Sequence, residues 1–128
     1  MDHQAAAEAY RQATFENAPP IKIIRMLYQG AIRFIDQAER EDHADPKSRY
    51  HDLLFRVDSI LTELRLALDH EQSPEVCQNL EQLYLFSERR LAEARSTGEP
   101  EALEDVRAIL RTLLEAWDHV EVETGQKP

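Results

Sequence analysis

A glutamate three residues before a histidine, repeated on two inward helix faces, is the ligand pattern of a di-iron site in a helical bundle. His43, His51, His70 and His119 are preceded at that spacing by Arg40, Ser48, Ala67 and Ala116. None of these is a carboxylate, so the pattern fails. Glu115 and His119 stand one helical turn apart and could share a ligand face. They lie on the polar side of their segment with no second pair opposite, which reads as solvated surface. Cys77 is the single cysteine. It can close no disulfide within the chain and build no multi-cysteine zinc site. At the edge of an apolar stripe it reads as a small buried hydrophobe. No glycine-rich loop offers a cradle for phosphate, and no serine or cysteine has an evident base beside it. Arg89-Arg90 is too short for a nucleic-acid patch and suits a late helical position, near the negative end of the dipole. The expected chemistry is binding and not catalysis, with no cofactor and no metal.

The elements that position these residues follow from composition and spacing. The chain has 128 residues, one domain's worth. Glycine occurs 3 times and proline 6 times, too rarely for the turns of a sandwich or barrel. Lys+Arg is 15 against Asp+Glu 25, a net charge of −10, so no basic footprint for nucleic acid is expected. No apolar run approaches the ~18 residues of a membrane span. The N-terminus has no charged-then-apolar signal, so the expected location is the cytoplasm.

Four segments share a helical period, at about 19–41, 46–69, 74–96 and 100–122. Each spans roughly 22 residues, or about 33 Å. The breaks between them are short, which predicts an all-α, antiparallel up-down-up-down four-helix bundle. Asp45 and Ser73 are the expected N-caps, with Pro46 and Pro74 at the first helical positions. Gly98 is the expected left-handed residue after the third helix. The bundle is expected over 19–123, preceded by a lid segment or short helix at 1–18 and followed by a disordered tail at 124–128.

The fourth helix carries an ordinary stripe of Leu103, Val106, Leu110, Leu113, Leu114, Trp117 and Val120, with Arg107 outside it. The other three carry more apolar surface than one core needs. On a wheel of about 100° per residue, the first helix is apolar over roughly 200°, from Ile23 and Ile24 to Ala38, and Met26 beside Gly30 widens the region. The second has its core stripe at Tyr50, Leu53, Leu54, Val57, Ile60, Leu61, Leu64 and Leu68. A second seam, Phe55-Ser59-Thr62-Leu66, lies opposite. The third directs Val76, Cys77, Leu80, Leu83, Tyr84, Ser87, Leu91 and Ala94 inward, leaving Leu85 and Phe86 elsewhere. One exposed hydrophobe is ordinary. Surplus faces on three helices mark a partner site, and apolar residues at 3-4 intervals fit an amphipathic helix. Tyr10 is the only large aromatic in the first fourteen residues, placed either to anchor its segment or to touch a partner.

These residues resemble a known family. The run Ala18-Pro19-Pro20-Ile21-Lys22-Ile23-Ile24-Arg25-Met26-Leu27-Tyr28-Gln29-Gly30-Ala31 is similar to the opening motif of the flagellin export chaperones, the FliS family. Ala9-Tyr10 looks like its N-terminal pair. Leu68-Asp69, Glu75, Asn79-Leu80, Leu83-Tyr84, Arg89-Arg90-Leu91, Ala94 and Trp117 resemble its later signatures. Pro19 and Gln29 depart from the usual serine and aspartate. The resemblance implies a cytoplasmic bundle that binds the disordered C-terminal segment of flagellin and prevents premature polymerisation. It also implies delivery to the type III export gate, with the N-terminal region touching that gate. Wheel and resemblance together assign partner contact to Tyr10, Ile23, Met26, Leu27, Gly30, Ile32, Phe55, Ser59, Thr62, Leu66, Leu85 and Phe86. Empty grooves of this kind could also pair two copies as a homodimer. The competing reading is a general helical adaptor, or a secretion chaperone, for another amphipathic-helix partner.

Overall fold

Ile24, Tyr28, Ala31, Ile35 and Ala38 recur every three or four residues and are all buried, which winds this stretch into a helix with one inward stripe. It is α1, Ile21–Ala38. The same logic forms α2 (Tyr50–Leu66), α3 (Pro74–Thr97) and α4 (Pro100–Glu123). The structure, a computed structural model, describes residues 21–68, 70–71 and 74–123, with the side chains of 21 and 119–123 excepted. The expected lid segment 1–18 with Tyr10, the Ser73 cap and the 124–128 tail lie outside these described residues, as does the Val120 side chain.

α1 packs on α2 and α4, and α3 packs on the same two helices, so the four close a ring around one core. Neighbours run antiparallel. Arg25 of α1 pairs with Asp118 of α4 at 2.6 Å, while Asp36, three turns on, pairs with Arg107 at 2.9 Å. Tyr50 at the start of α2 donates to the Ala94 carbonyl near the end of α3, at 3.1 Å. Arg90 of α3 reaches Asp105 of α4 at 2.9 Å. The fold is the expected all-α four-helix bundle.

The core centre is aromatic. Tyr28, Tyr84 and Trp117 are its largest buried side chains. The two tyrosine hydroxyls lie 2.5 Å apart. The Trp117 indole N–H donates to the Tyr28 oxygen, since an indole can only donate. One hydrogen-bonded chain therefore joins α4, α1 and α3. Burial pushes the Tyr28 phenol up to about 12, against the opposing effect of these bonds. Ser87, also fully buried, gives its hydroxyl proton to the Leu83 carbonyl one turn back, at 2.9 Å.

The start of the second helix differs from expectation. Asp45 and Pro46 do not open it. Asp45 Oδ1 accepts the Lys47 N–H at 2.8 Å and its carbonyl accepts the Ser48 N–H at 3.0 Å, closing a separate turn. The helix begins at Tyr50, whose N–H is taken by Ser48 Oγ, and the Arg49 N–H is taken by Glu41 Oε1 at 2.8 Å. Two acceptors from outside the expected cap thus satisfy the orphan donors that decide where a helix starts. The first helix stops at Ala38, three residues early, where Arg40 and Glu41 bond back to Gln37 and Ala38 in tight turns. Pro74 opens α3 as expected. Gly98 follows α3 in the left-handed region, φ 73°, and its N–H bonds to the Ala94 carbonyl.

Two further corrections concern faces. Leu83, expected in the core, is 38% exposed. Arg107, expected on the solvent side, is buried at 7% exposure. It forks between Asp36 and Glu39 of α1 and also pairs with Glu104 one turn earlier. Burial works against its charge, but Glu39 and Asp36 outweigh it and push its pKa up.

Candidate partner-binding surface

Among the described residues, six large apolar side chains stand out of the bundle: Ile23 and Met26 on α1, Phe55 and Leu66 on α2, Leu83 and Phe86 on α3. Five of them come from the sequence-derived site. Phe55 and Leu66 are the most open, at 63% and 64%. They are eleven residues apart, three helical turns, so both stand on the outer face of α2 about 16 Å from each other.

Between them lie Ser59 and Thr62. Ser59 Oγ donates to the Phe55 carbonyl at 3.0 Å, and Thr62 Oγ1 donates to Glu88 of α3 at 3.4 Å. Both hydroxyl protons are bonded within the protein, so neither needs an acceptor from a partner. The result is a shallow strip with a large hydrophobe at each end and small side chains in the middle, the relief against which another helix can lie. Its α3 edge is polar: Arg65 grips Glu88 at 2.8 Å, and that bond raises the Arg65 pKa. Asp58, half-buried at the same edge, has its carboxyl pushed up by burial first and by Glu88 second.

The α3 residues divide. Leu85 is half-buried, while Phe86 and Leu83 are exposed. Leu83, Leu85 and Phe86 line one depression with Asn79, Gln82 and Arg89. Leu83 also lines an apolar groove between α3 and α4 with Ala108, Ile109, Thr112 and Leu113. Reading α4 as ordinary overlooked this groove. The available signal was Ile109, an apolar residue off the stripe of its helix.

On α1, Ile23 and Met26 are exposed, but Leu27 and Ile32 are half-buried and pack on the core. Gly30 is buried, and a Cβ there would sit 3.7 Å from an Arg33 guanidinium nitrogen, an ordinary contact distance. Among the described residues, no three His, Cys, Asp or Glu side chains come close enough to hold a metal. Nor is any described helix long and apolar enough to cross a membrane. What the surface offers is apolar contact.

The profile of a family described as "Flagellar protein FliS" matches residues 2–124. This chain belongs to the FliS family. It is 28% identical to the flagellar secretion chaperone FliS of Vibrio cholerae serotype O1, over 94% of this chain and 91% of that one. It is 30% identical to the flagellar secretion chaperone FliS of Campylobacter jejuni, over 94% of each chain. To the flagellar secretion chaperone FliS of Salmonella typhimurium it is 30% identical, over 88% of this chain and 87% of that one.

Proposed function

We propose that this chain is a chaperone for flagellin, holding its disordered C-terminal segment as a helix before export. One observation carries the reading: apolar side chains left outside a closed core on three of four helices, with the α2 strip its clearest part. A partner segment that is amphipathic and self-pairing would find on this surface the apolar contacts it otherwise makes with its own copies. Occupying the surface blocks filament assembly. The segment must be ordered on binding, at a cost of about 1–2 kcal/mol per backbone residue. That cost keeps release within reach of a purely physical competition at the export gate, with no covalent step.

Phe55, Ser59, Thr62, Leu66 and Phe86 are the contacts we assign to the segment, with Leu85 at the edge and Ile23 and Met26 on α1. Leu27, Gly30 and Ile32 support α1 more than they meet a partner. In the same proposal Tyr10 and residues 1–18 form the displaceable lid or the gate contact, and the protein works in the cytoplasm, where unexported flagellin is found.

Assembly itself tests this. Monomeric flagellin seeded with filament fragments should stay unassembled, by light scattering, when the chaperone is present in equal amount. Phe55→Asp and Leu66→Asp, both at exposed positions and checked for retained helicity, should restore assembly. Equal protection by the variants removes the α2 strip from the site, and no protection by the unaltered protein removes flagellin as the client.

A further inference from the structure

The outer face of α1 carries a charge pattern that the chaperone reading does not use. The helix holds three cations, Lys22, Arg25 and Arg33, and one carboxylate, Asp36. Asp36 is turned to Arg107 of α4, and Arg25 is paired there with Asp118. Lys22 and Arg33 remain exposed, with no ion pair among the described residues. They are eleven residues apart, so they share one face within about 20° and lie about 16 Å from each other. Arg40, exposed and likewise unpaired, continues that line into the turn beyond the helix. Arg56 of α2 joins its edge, its guanidinium 5.8 Å above the Phe34 ring.

In a chain of net charge −10, a free cation normally finds a carboxylate neighbour. Here Asp36 and Glu39 of this side are engaged with Arg107 of α4, and four cations are left facing water. Ile23 and Met26, 44% and 57% exposed and shared with the surface assigned to the flagellin segment, stand among them. We propose that this face of α1 docks an acidic amphipathic peptide segment, with carboxylates one to three turns apart and apolar residues between them.

The charge of the whole molecule selects a short segment over an extended polyanion. Screening confines the field of the strip to about 8–10 Å at ordinary salt. A peptide of one to two dozen ångströms meets only the strip. A membrane surface or a nucleic acid would also face the acidic remainder of the protein. Arg33 is the residue on which the docking turns. One of its terminal nitrogens lies beside Gly30, 3.7 Å from where a Cβ would stand, so no side chain at that position crowds the guanidinium. A carboxylate at that point meets the guanidinium's fork of donors, which suits two-point binding.

The probe is a fluorescein-labelled helical peptide of glutamate, alanine and leucine with glutamates at 3-4 spacing, followed by anisotropy against the full chain. The proposal expects saturable binding that weakens about tenfold from low to physiological salt. Arg33→Glu and, separately, Arg40→Glu should each weaken it about fivefold or more. Arg111→Glu on α4 makes the same change in net charge at an exposed site and should stay within about twofold. Circular dichroism should show unchanged helicity in all three. Absence of binding, or equal loss with Arg111→Glu, overturns the proposal. So does tighter, Arg33-dependent binding of phosphatidylglycerol vesicles or a single-stranded oligonucleotide. Protection of flagellin by Arg33→Glu, read in the assembly assay, keeps this test separate from the chaperone reading.

Discussion

The Tyr28 hydroxyl sits between a donor from Trp117 and the hydroxyl of Tyr84, deep in a mainly apolar core. Removing it leaves the indole N–H and one Tyr84 lone pair or proton without that partner. Tyr28→Phe should therefore cost about 1–3 kcal/mol of unfolding free energy, measured by urea titration. Tyr28→Phe with Tyr84→Phe should cost less than the two singles added together, because the second change removes a group the first has already orphaned. Asp58 behaves oppositely. Burial and Glu88 raise its folded pKa above 3.8. A raised carboxyl favours the fold when protonated and loses that contribution as pH rises through the folded value. Asp58→Asn should thus raise the melting temperature at pH 7, with the gain gone near pH 3. Both tyrosines were legible as core from their 3-4 spacing, but their bond to one another was not. Arg107 was not legible at all: its partner Asp36 lies 71 positions away, and no local pattern announces such a pair.

At the scale of the elements, helix existence was readable and helix starts were not. Four periodic apolar stripes predict four helices because burial of each stripe forms them. The start of α2 depends instead on which acceptor reaches which N–H, and Glu41, eight residues before Arg49, decides it. Asp45-Pro46 has the composition of a cap and caps a neighbouring turn instead. Gly98 was readable because its role is set by backbone conformation alone. That position also carries a close approach: a Cβ there would lie 2.6 Å from His43 Nδ1. The same ring donates through Nε2 to the Arg95 carbonyl at 3.0 Å, so the loop after α1 caps the end of α3. Gly98→Ala should destabilise the fold by about 1–3 kcal/mol in chemical denaturation, through the left-handed φ and the collision together. In a His43→Ala background the added cost should shrink to the backbone part. An undiminished cost would assign the whole effect to φ.

At the scale of the molecule, the ring of four helices satisfies its own core and still leaves Phe55 and Leu66 in water. The surplus on α1 and α2 was visible in the sequence as an apolar arc wider than one core requires. The α3–α4 groove was not, because Leu83 sits where an inward stripe and an outward one overlap on the wheel, and only the packing of α4 decides which it joins. Leu27 and Ile32 show the same ambiguity resolved the other way. Surplus apolar surface is the property a chaperone for an amphipathic segment requires, and membership of the FliS family points to a flagellar client. The most direct test is calorimetric titration of the full chain with the C-terminal segment of flagellin from the same organism, with helicity followed by circular dichroism. One-to-one binding accompanied by a gain in helix beyond the sum of the parts is the expected result. A folded protein that binds the intact segment without any gain in helix, or does not bind it, contradicts the account.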